Sequence, residues 1–330
     1  MKWTAGKVLG MARGYQKACV LAAAVDLELF DVMAGSRQTA PEIARRIRGD
    51  TRAVTILLDA LAALKLVRKS GGHYGVPADV ASVLTAGAAR GVLAMSQHQA
   101  NCLRRWARLA RTVRKGRPAP RAPSVRGKRK DAAAFIGAMH DINSRISPKL
   151  VRDIQPLPFR HLLDVGGASG TWTIAFLEAN SSGRATIFDL PHVIPMARRR
   201  LQKLKVSDGV CLVAGDFYRD KLPKGADLAW VSAIVHQNSR AQNRVLFRKV
   251  FRALVPGGRI AIRDVVMEES RTAPLGGALF AVNMLVGTRR GGTFTFRELA
   301  EDLHRAGFAG ARVARRGEEN DSVVVAERRG

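Results

Sequence analysis

The spacing of apolar residues changes near residue 160 and separates a helical first part from a part in which strands and helices alternate. In the first hundred residues, leucine and isoleucine recur at the intervals of amphipathic helices. Thr39 precedes APEIARRI, where Pro41 and Glu42 suit the first turn of a helix. A second helix, a Gly-Gly turn and a short strand around Tyr74 follow. Helix, helix and small hairpin form the winged-helix pattern, which serves either DNA binding or packing and dimerisation.

The second part predicts an α/β fold. Its strand-like segments are HLLDVGG, RATIFDL, VCLVAGDF, LAWVSAIVH, GRIAIRDVVM and VVVAE, with helical segments between them. This alternation predicts a Rossmann-like, mainly parallel sheet with helices on both faces, and ligands bind such sheets at the carboxyl ends of the strands. We therefore expect three regions: a winged-helix-like domain over 1–100, a basic linker with pocket helices over 101–158, and a sheet domain over 159–330.

Composition narrows the class of protein. Hydrophobic residues make up 47% of the 330 residues, as in globular proteins. No apolar run reaches the roughly 18–20 residues that span a bilayer, and the first residues lack the compact apolar region of a secretory signal. Cys19, Cys102 and Cys211 lie too far apart in sequence for a disulfide framework or a zinc pattern. We expect a soluble, cytoplasmic protein that binds no metal.

The net charge of +28 raises the possibility of a nucleic-acid partner. Residues 104–130 carry twelve basic residues and no acidic one, and phosphate backbones favour such clusters. A solvated basic connection is the more common role of a charge run. Phe and Tyr are not interleaved with these cations as stacking platforms would require, so nucleic acid is the less favoured partner.

A glycine-rich turn follows the first predicted strand of the sheet. The segment DVGGASG places Asp164, Gly166, Gly167 and Gly170 where a backbone turns sharply and a ligand approaches closely. The next strand ends in Asp189, whose carboxylate can accept both hydroxyls of a ribose. The third strand ends in AGDF, where Asp216 can accept from an adenine amino group and Phe217 can cover the ring; Asp216 as a simple turn residue is the alternative.

The spacing of these glycines differs from that of two other nucleotide-binding motifs. A dinucleotide fingerprint reads G-x-G-x-x-G, whereas this chain has G-G-x-x-G, and no Lys-Ser/Thr follows as in a P-loop. Together, DVGGASG, FDLPHV, GDF and LVPGGRIAIRD resemble the class I S-adenosylmethionine-dependent O-methyltransferases. The closest resemblance is to the hydroxyindole/caffeate-type branch, which acts on small molecules and carries an N-terminal winged-helix dimerisation domain.

The resemblance, which extends over nearly the whole chain, implies S-adenosylmethionine as cofactor and a homodimer formed by the N-terminal domain. It implies that the glycines approach the methionine part of the cofactor, that Asp189 binds the ribose, and that Asp216 and Phe217 bind the adenine. The full set of cofactor-binding residues carried over is Asp164, Gly166, Gly167, Gly170, Asp189, Leu190, Asp216, Phe217 and Ser232.

The fourth strand of the sheet ends in His236, at the position of the family's general base. The Asp and Trp that follow this histidine in the family are Gln237 and Asn238 here. Asp264 stands where the family commonly has glutamate, and is expected to orient His236 either directly or through water. A second carboxylate of the family corresponds to Thr293. A histidine with a purely structural role is the alternative.

The resemblance also assigns residues to an acceptor pocket. Met139 and Asn143 lie one turn apart on a predicted helix over 131–154, and Phe280, Asn283 and Met284 lie at helical spacing near the end of the chain. Met139 is equally suited to ordinary core packing, and for Phe280 core packing is the stronger alternative, because one apolar stripe of a helix always packs. Mostly apolar side chains with few polar groups suit an aromatic or polycyclic hydroxyl compound.

These features predict an S-adenosylmethionine-dependent O-methyltransferase that acts on a small aromatic or polycyclic compound with His236 as general base. Two alternatives remain at the level of sequence. One is a homologue that binds the cofactor but catalyses hydroxylation, decarboxylation or rearrangement without methyl transfer. The other is a nucleic-acid-binding protein or an RNA methyltransferase, which the basic residues would favour.

Overall fold

A computed structural model describes residues 2–88 and 91–329. The chain forms two compact units: the first comprises residues up to Arg108 together with Pro120–Asp141, and the second comprises Leu109–Ala119 and the residues from Ile142 onward. The predicted middle region, 101–158, is therefore divided between both units.

The first half of the chain is mainly helical. Its elements are α1 (Ala5–Arg13), α2 (Tyr15–Asp26), α3 (Leu29–Val32), β1 (Gln38–Thr39), α4 (Ala40–Ile47), α5 (Thr51–Ala63), β2 (Arg68–Ser70), β3 (His73–Gly75), α6 (Ala78–Leu84), α7 (Leu93–Trp106), α8 (Leu109–Lys115) and α9 (Lys128–Asp153). Of these, α8 belongs to the second unit, and the division between the units falls within α9.

The first unit contains the predicted helix, helix and hairpin. Helix α4 begins at a capping box, in which Thr39 and Glu42 bond reciprocally to each other's backbone N–H groups. Strands β2 and β3 form the antiparallel hairpin, and β1 adds a third strand beside β3. Tyr74 of β3 is buried in the core of this unit, and its hydroxyl donates to Asp59 at 2.6 Å.

The second unit contains the alternating strands and helices. Its further elements are β4 (His161–Val165), α10 (Thr171–Ala179), β5 (Arg184–Asp189), α11 (Ile194–Lys203), β6 (Val210–Ala214), β7 (Ala226–Ser232), a 3₁₀ turn (Val235–Gln237), α12 (Arg240–Ala253), β8 (Leu254–Asp264), β9 (Val266–Met267), α13 (Leu275–Gly287), β10 (Phe294–Thr295), α14 (Phe296–Arg305), β11 (Phe308–Arg315) and β12 (Ser322–Arg328).

Seven of these strands form one sheet in the order β11-β12-β8-β7-β4-β5-β6. The five strands from β8 to β6 are parallel, whereas β12 runs antiparallel to β8 and β11 antiparallel to β12. The predicted α/β fold with a mainly parallel sheet is confirmed. The C-terminal antiparallel pair adds β11, which the sequence pattern did not single out.

Side-chain alternation along the strands creates a core on each face of the sheet. In β7, Leu228 and Trp230 pack with α10 and the end of α9, while Ala229 and Val231 pack with α12 and α14. Trp230 is fully buried, and each large aromatic side chain buried in this way contributes a few kcal/mol of hydrophobic stabilisation. These two cores hold the carboxyl ends of the five parallel strands at one edge, where the predicted site residues lie.

Candidate active site

The turn between β4 and α10 is shaped by its glycines. Gly166 and Gly170 have φ of 70° and 74°, a region that favours glycine. Gly167 is restricted by space, since a Cβ there would lie 2.7 Å from Asp164 Cγ and 2.9 Å from Ile187 Cγ2. The turn is thus a close-packed cradle of bare backbone that leads directly into the N-terminus of α10, where free N–H groups favour negative charge.

Asp164 lies beneath this cradle. Its side chain is 1% exposed, and Oδ2 accepts a hydrogen bond from the Thr173 hydroxyl at 2.7 Å. Burial raises the pKa of Asp164 to about 7, against the opposing effect of the Thr173 hydrogen bond. In this position the carboxyl group supports the turn from below, and Thr173 ties it to α10.

Asp189, at the end of β5, holds the same turn from the side. One carboxylate oxygen accepts from the backbone N–H of Ala168 at 2.7 Å, and the other accepts from that of Leu190 at 2.7 Å. Burial raises the pKa of Asp189, while these two hydrogen bonds act in the opposite direction. A carboxylate has about four acceptor positions, so two remain for hydroxyl groups of a ligand.

Asp216 and Phe217 follow β6 next to the cradle. The Asp216 side chain is 30% exposed, and one oxygen accepts from the backbone N–H of Tyr218 at 2.9 Å. Phe217 is half-buried, and its Cε1 lies 3.8 Å from the place a Cβ on Gly166 would occupy. The structure therefore brings the glycine turn, Asp189 and the Asp216–Phe217 pair together at one edge of the sheet.

His236 lies in the 3₁₀ turn that follows β7, and only 7% of the residue is exposed. Its Nδ1 lies 2.8 Å from Asp264 Oδ1 and 3.0 Å from Oδ2. The contact with Asp264 is direct, which the sequence had left open. Because a carboxylate only accepts hydrogen bonds, the neutral imidazole carries its proton on Nδ1 and presents the lone pair of Nε2.

Backbone contacts fix both members of this pair. Asp264 is 1% exposed and also accepts from the backbone N–H groups of His236 at 3.2 Å and Val265 at 2.8 Å. The carbonyl oxygen of His236 accepts from the N–H of Gly292 at 2.9 Å. Thr293 is 6% exposed, and its carbonyl accepts from Arg271.

Asn238, which replaces a family tryptophan, belongs to a buried chain of amides that sequence reasoning missed. Its Oδ1 accepts from the Tyr218 hydroxyl at 2.6 Å, and its Nδ2 donates to Asn243 Oδ1 at 2.9 Å. Asn243 in turn donates to the carbonyl of Val235 at 3.1 Å. These three hydrogen bonds connect the loop of Asp216 to the turn that holds His236. Tyr218 and Asn238 are far apart in the sequence, so no local sequence signal indicates the contact between them.

Sequence reasoning also missed Arg263, the residue before Asp264. Arg263 is 2% exposed and donates through one terminal nitrogen to the Ser232 hydroxyl at 3.0 Å. Ser232 itself, a predicted cofactor residue, is the last residue of β7. The segment GRIAIRD could have indicated this burial, because strand alternation places Arg263 on the same buried face as Ala261.

The predicted acceptor residues fall in two places. On α13, Phe280 packs edge-on against the His236 ring with centroids 4.9 Å apart, and Asn283 and Met284 follow on the next turn. On α9, Met139 belongs to the first unit and Asn143 to the second, and both are half-buried. Within the second unit, the structure therefore brings Phe280 to His236.

Residues 2–88 and 91–329 contain neither a metal-binding cluster nor a helix suited to span a membrane. No cluster of three or more His, Cys, Asp or Glu side chains is arranged to hold a metal ion. None of the helices in these ranges combines the length and apolar character needed to cross a membrane.

Comparison with protein families gives two matches. Residues 106–309 match the O-methyltransferase domain, and residues 9–87 match the O-methyltransferase dimerisation domain. Together the matched regions contain most of the chain, including every site residue described above.

Individual relatives span nearly the full length. The chain is 29% identical to the 3-hydroxy-5-methyl-1-naphthoate 3-O-methyltransferase of Streptomyces sahachiroi, over 96% of this chain and 93% of the relative. It is 29% identical to the tetracenomycin polyketide synthesis 8-O-methyl transferase TcmO of Streptomyces glaucescens, over 93% and 92%. The solved structure of PigF with SAH superposes with a TM-score of 0.85 at 24% identity, over 98% of this chain and all of that one, which supports the fold.

Proposed function

Because the chain belongs to the O-methyltransferase family and is an S-adenosylmethionine-dependent O-methyltransferase, we propose that it methylates a hydroxyl of a small aromatic or polycyclic compound with His236 as general base. The single observation that carries the proposal is the buried His236–Asp264 pair, which leaves Nε2 as the acceptor of a proton. Two relatives are named for a hydroxynaphthoate and for tetracenomycin polyketide synthesis, which supports an acceptor of the same class.

The residues around the glycine turn fit the cofactor. When bound, S-adenosylmethionine supplies a methyl group on a positively charged sulfur. The bare backbone of Gly166, Gly167 and Gly170 accommodates its methionine part, where any Cβ would be strained or would clash. The free acceptor positions of Asp189 bind the ribose hydroxyls, with Leu190 beside them.

The adenine site in this proposal is the loop after β6. Asp216 accepts from the adenine amino group, and the half-buried Phe217 covers one face of the ring. Asp164 supports the glycine turn and does not contact the cofactor in this proposal, because it is 1% exposed and accepts a hydrogen bond from the Thr173 hydroxyl. Ser232 contributes to the cofactor site together with Arg263, from which its hydroxyl accepts a hydrogen bond.

His236 removes the proton of the acceptor hydroxyl as the methyl group is transferred. A phenol has a pKa near 10 and a histidine about 6.5, so complete proton transfer beforehand would cost about 4–5 kcal/mol. Asp264 accepts a hydrogen bond from Nδ1 and so holds the ring in one tautomer, with Nε2 as the proton acceptor. Proton transfer that accompanies methyl transfer avoids the full penalty.

The acceptor lies against α13 and α9 in this proposal. Phe280 contacts the aromatic ring of the acceptor beside His236, Met284 adds an apolar wall, and Asn283 provides a polar contact. Asn143, in the part of α9 that belongs to the second unit, adds a further polar group, and Met139, in the first unit, stays a prediction from the sequence. A mostly apolar lining with few polar groups suits an aromatic compound that carries a hydroxyl.

The active form in this proposal is a homodimer. The match of residues 9–87 to the dimerisation domain supports it. Helix α1 has no buried residue within the chain, and Val8, Leu9, Met11 and Tyr15 are 53–69% exposed. Such a row of exposed apolar side chains is typical of a surface that another chain covers. Light scattering of the purified protein measures the mass directly.

The test is methyl transfer from labelled S-adenosylmethionine to a panel of phenolic and polycyclic acceptors. We expect transfer by the native protein and a loss of about 10²–10⁴-fold in kcat for His236→Ala, the usual range for a general base. Calorimetry with S-adenosylhomocysteine should give the same affinity for both. His304→Ala, at an exposed histidine on α14, is the matched control and should keep full activity.

Undiminished transfer by His236→Ala, with an intact fold, would remove His236 from the chemistry. Stoichiometric conversion of a phenol without release of S-adenosylhomocysteine would support the alternative of a reaction without methyl transfer.

A further inference from the structure

Arg263 is a buried cation that forms no ion pair with a carboxylate of residues 2–88 or 91–329. It is 2% exposed, its one hydrogen bond among the described residues goes to the Ser232 hydroxyl, and its Nε has no acceptor. The two carboxylates whose charges influence it most bond elsewhere: Asp264 to His236, and Asp321 to Arg315 at 2.6 Å.

The surroundings of Arg263 are rich in donors and poor in acceptors. Its guanidinium centre lies 4.7 Å from the ring of Trp172, which packs against Trp230 with centroids 5.1 Å apart. The indole nitrogens of both tryptophans are buried and have no hydrogen-bond partner among the described residues. Burial lowers the pKa of Arg263 to about 10, and a buried cation without a partner is costly to keep.

The position of Arg263 points to the cradle. Val165 pairs with Val231 and Ser232 pairs with Arg263, so Gly166, Ser232 and Arg263 lie at successive strand ends. The hydrogen bond to Ser232 shows that the guanidinium leans from β8 toward β7, the strand next to β4. It also lies over Trp172, the second residue of α10 after the glycine turn.

We propose that Arg263, positioned by Ser232, binds the carboxylate at the amino-acid end of the cofactor. The inference rests on the proposed placement of the methionine part at the glycine turn. A carboxylate would provide the acceptors that this donor-rich site lacks, and the planar guanidinium fork suits two parallel hydrogen bonds to it. Arg263 is then a binding residue that acts on the ligand's charge and takes no part in proton transfer.

Calorimetry with two ligands tests this. S-adenosylhomocysteine carries the carboxylate, whereas its carboxamide has nearly the same shape without the negative charge. The native protein should bind the acid about 10–100-fold more tightly than the amide, because hydrogen bonds to charged groups contribute about 1.5–3 kcal/mol. Arg263→Met should reduce this preference to a few-fold and leave the affinity for the amide nearly unchanged.

Matched variants separate this role from a structural one. Arg259→Met removes an arginine from the middle of β8, where it donates to the carbonyl of Pro158, and should keep the native preference. Ser232→Ala removes only the positioning hydrogen bond and should weaken the preference for the acid by a smaller factor. Circular dichroism and thermal unfolding monitor the fold of every variant.

An unchanged acid-to-amide ratio in folded Arg263→Met would overturn the proposal and leave Arg263 a structural cation. If that variant does not fold, an unchanged ratio in Ser232→Ala would overturn it. Failure of the native protein to bind S-adenosylhomocysteine at all would instead overturn the placement of the cofactor.

Discussion

At the scale of single residues, the side chain of Asp264 is long enough to contact His236 Nδ1 directly. The carboxylate also accepts the backbone N–H groups of His236 and Val265, so its position is fixed independently of the imidazole. Three N–H groups from two neighbouring segments thus hold one carboxyl group. Among the residues that the structure describes, Asp264 is the one carboxylate that contacts the imidazole.

Asp264→Asn should lower kcat by about 10²–10⁴-fold, comparable to removal of a general base. The asparagine amide can donate to Nδ1, which would place the imidazole proton on Nε2 and block proton acceptance. The measurement is the rate of methyl transfer at saturating cofactor and acceptor, with S-adenosylhomocysteine affinity as the control. A kcat within threefold of native, together with unchanged binding, would contradict the assigned role of Asp264.

At the scale of elements, the turn between β4 and α10 depends on its second glycine for space rather than for φ. Gly167→Ala would bring a Cβ within 2.7 Å of Asp164 and 2.9 Å of Ile187, both in the packed interior. We expect a loss of about 1–3 kcal/mol in the free energy of unfolding and a weaker affinity for S-adenosylhomocysteine.

Urea unfolding and calorimetry measure these two effects. Gly292→Ala is the control, because no atom lies within 4 Å of a Cβ there and its φ is outside the left-handed region. Native affinity in folded Gly167→Ala would show that the turn has more freedom than its close contacts imply.

A helix or strand could be predicted from the sequence wherever the residues that determine it are neighbours within one segment. Alternation of apolar residues revealed the parallel strands, and TAPE revealed the cap at Thr39, because both depend on neighbours a few residues away. The partners of Arg263 and Asn238 could not be predicted in this way. Ser232 is 31 residues from Arg263, and Tyr218 is 20 from Asn238, and only the folded sheet brings them together.

At the scale of the whole molecule, part of the large positive charge is used inside the first unit. Arg126, whose side chain is 4% exposed, bridges Asp26 and Asp131, and Arg104 also contacts Asp26. Both arginines come from the basic run over 104–130. The sequence alone suggests that this basic run forms one charged surface. In the structure, some of its arginines form ion pairs within the first unit instead.

The pH dependence of stability should differ between the two units. Burial lowers the pKa of His98, in the first unit, to about 4, and raises that of Asp164, in the second, to about 7. Unfolded histidine titrates near 6.5, so the contribution of His98 is lost as pH falls from about 6.5 to 4. Asp164 behaves oppositely: its folded form holds a proton, and stability falls as pH rises from about 4 to 7, by at most about 1.4 kcal/mol per unit.

Hydrogen exchange followed by mass spectrometry between pH 4.5 and 7 resolves both units. Exchange rates, corrected for intrinsic chemistry, should indicate a first unit that is stabilised and a second that is destabilised as pH rises. Asp164→Asn should weaken the trend in the second unit only, where Asp189 still contributes to it, and His98→Phe should weaken the trend in the first unit only. Parallel trends in the two units of the native protein would contradict the assignment.

The order of the sheet has a consequence for synthesis on the ribosome. Strand β12 pairs with β8, with Ser322 opposite Asp264, yet Ser322 follows Asp264 by 58 positions in the chain. The strand that carries Asp264 therefore leaves the ribosome long before its outer neighbour and has an open edge meanwhile, a template for pairing with other chains. We expect a polypeptide truncated before β12 to aggregate through this open edge, since β8 would keep its unpaired N–H and C=O groups.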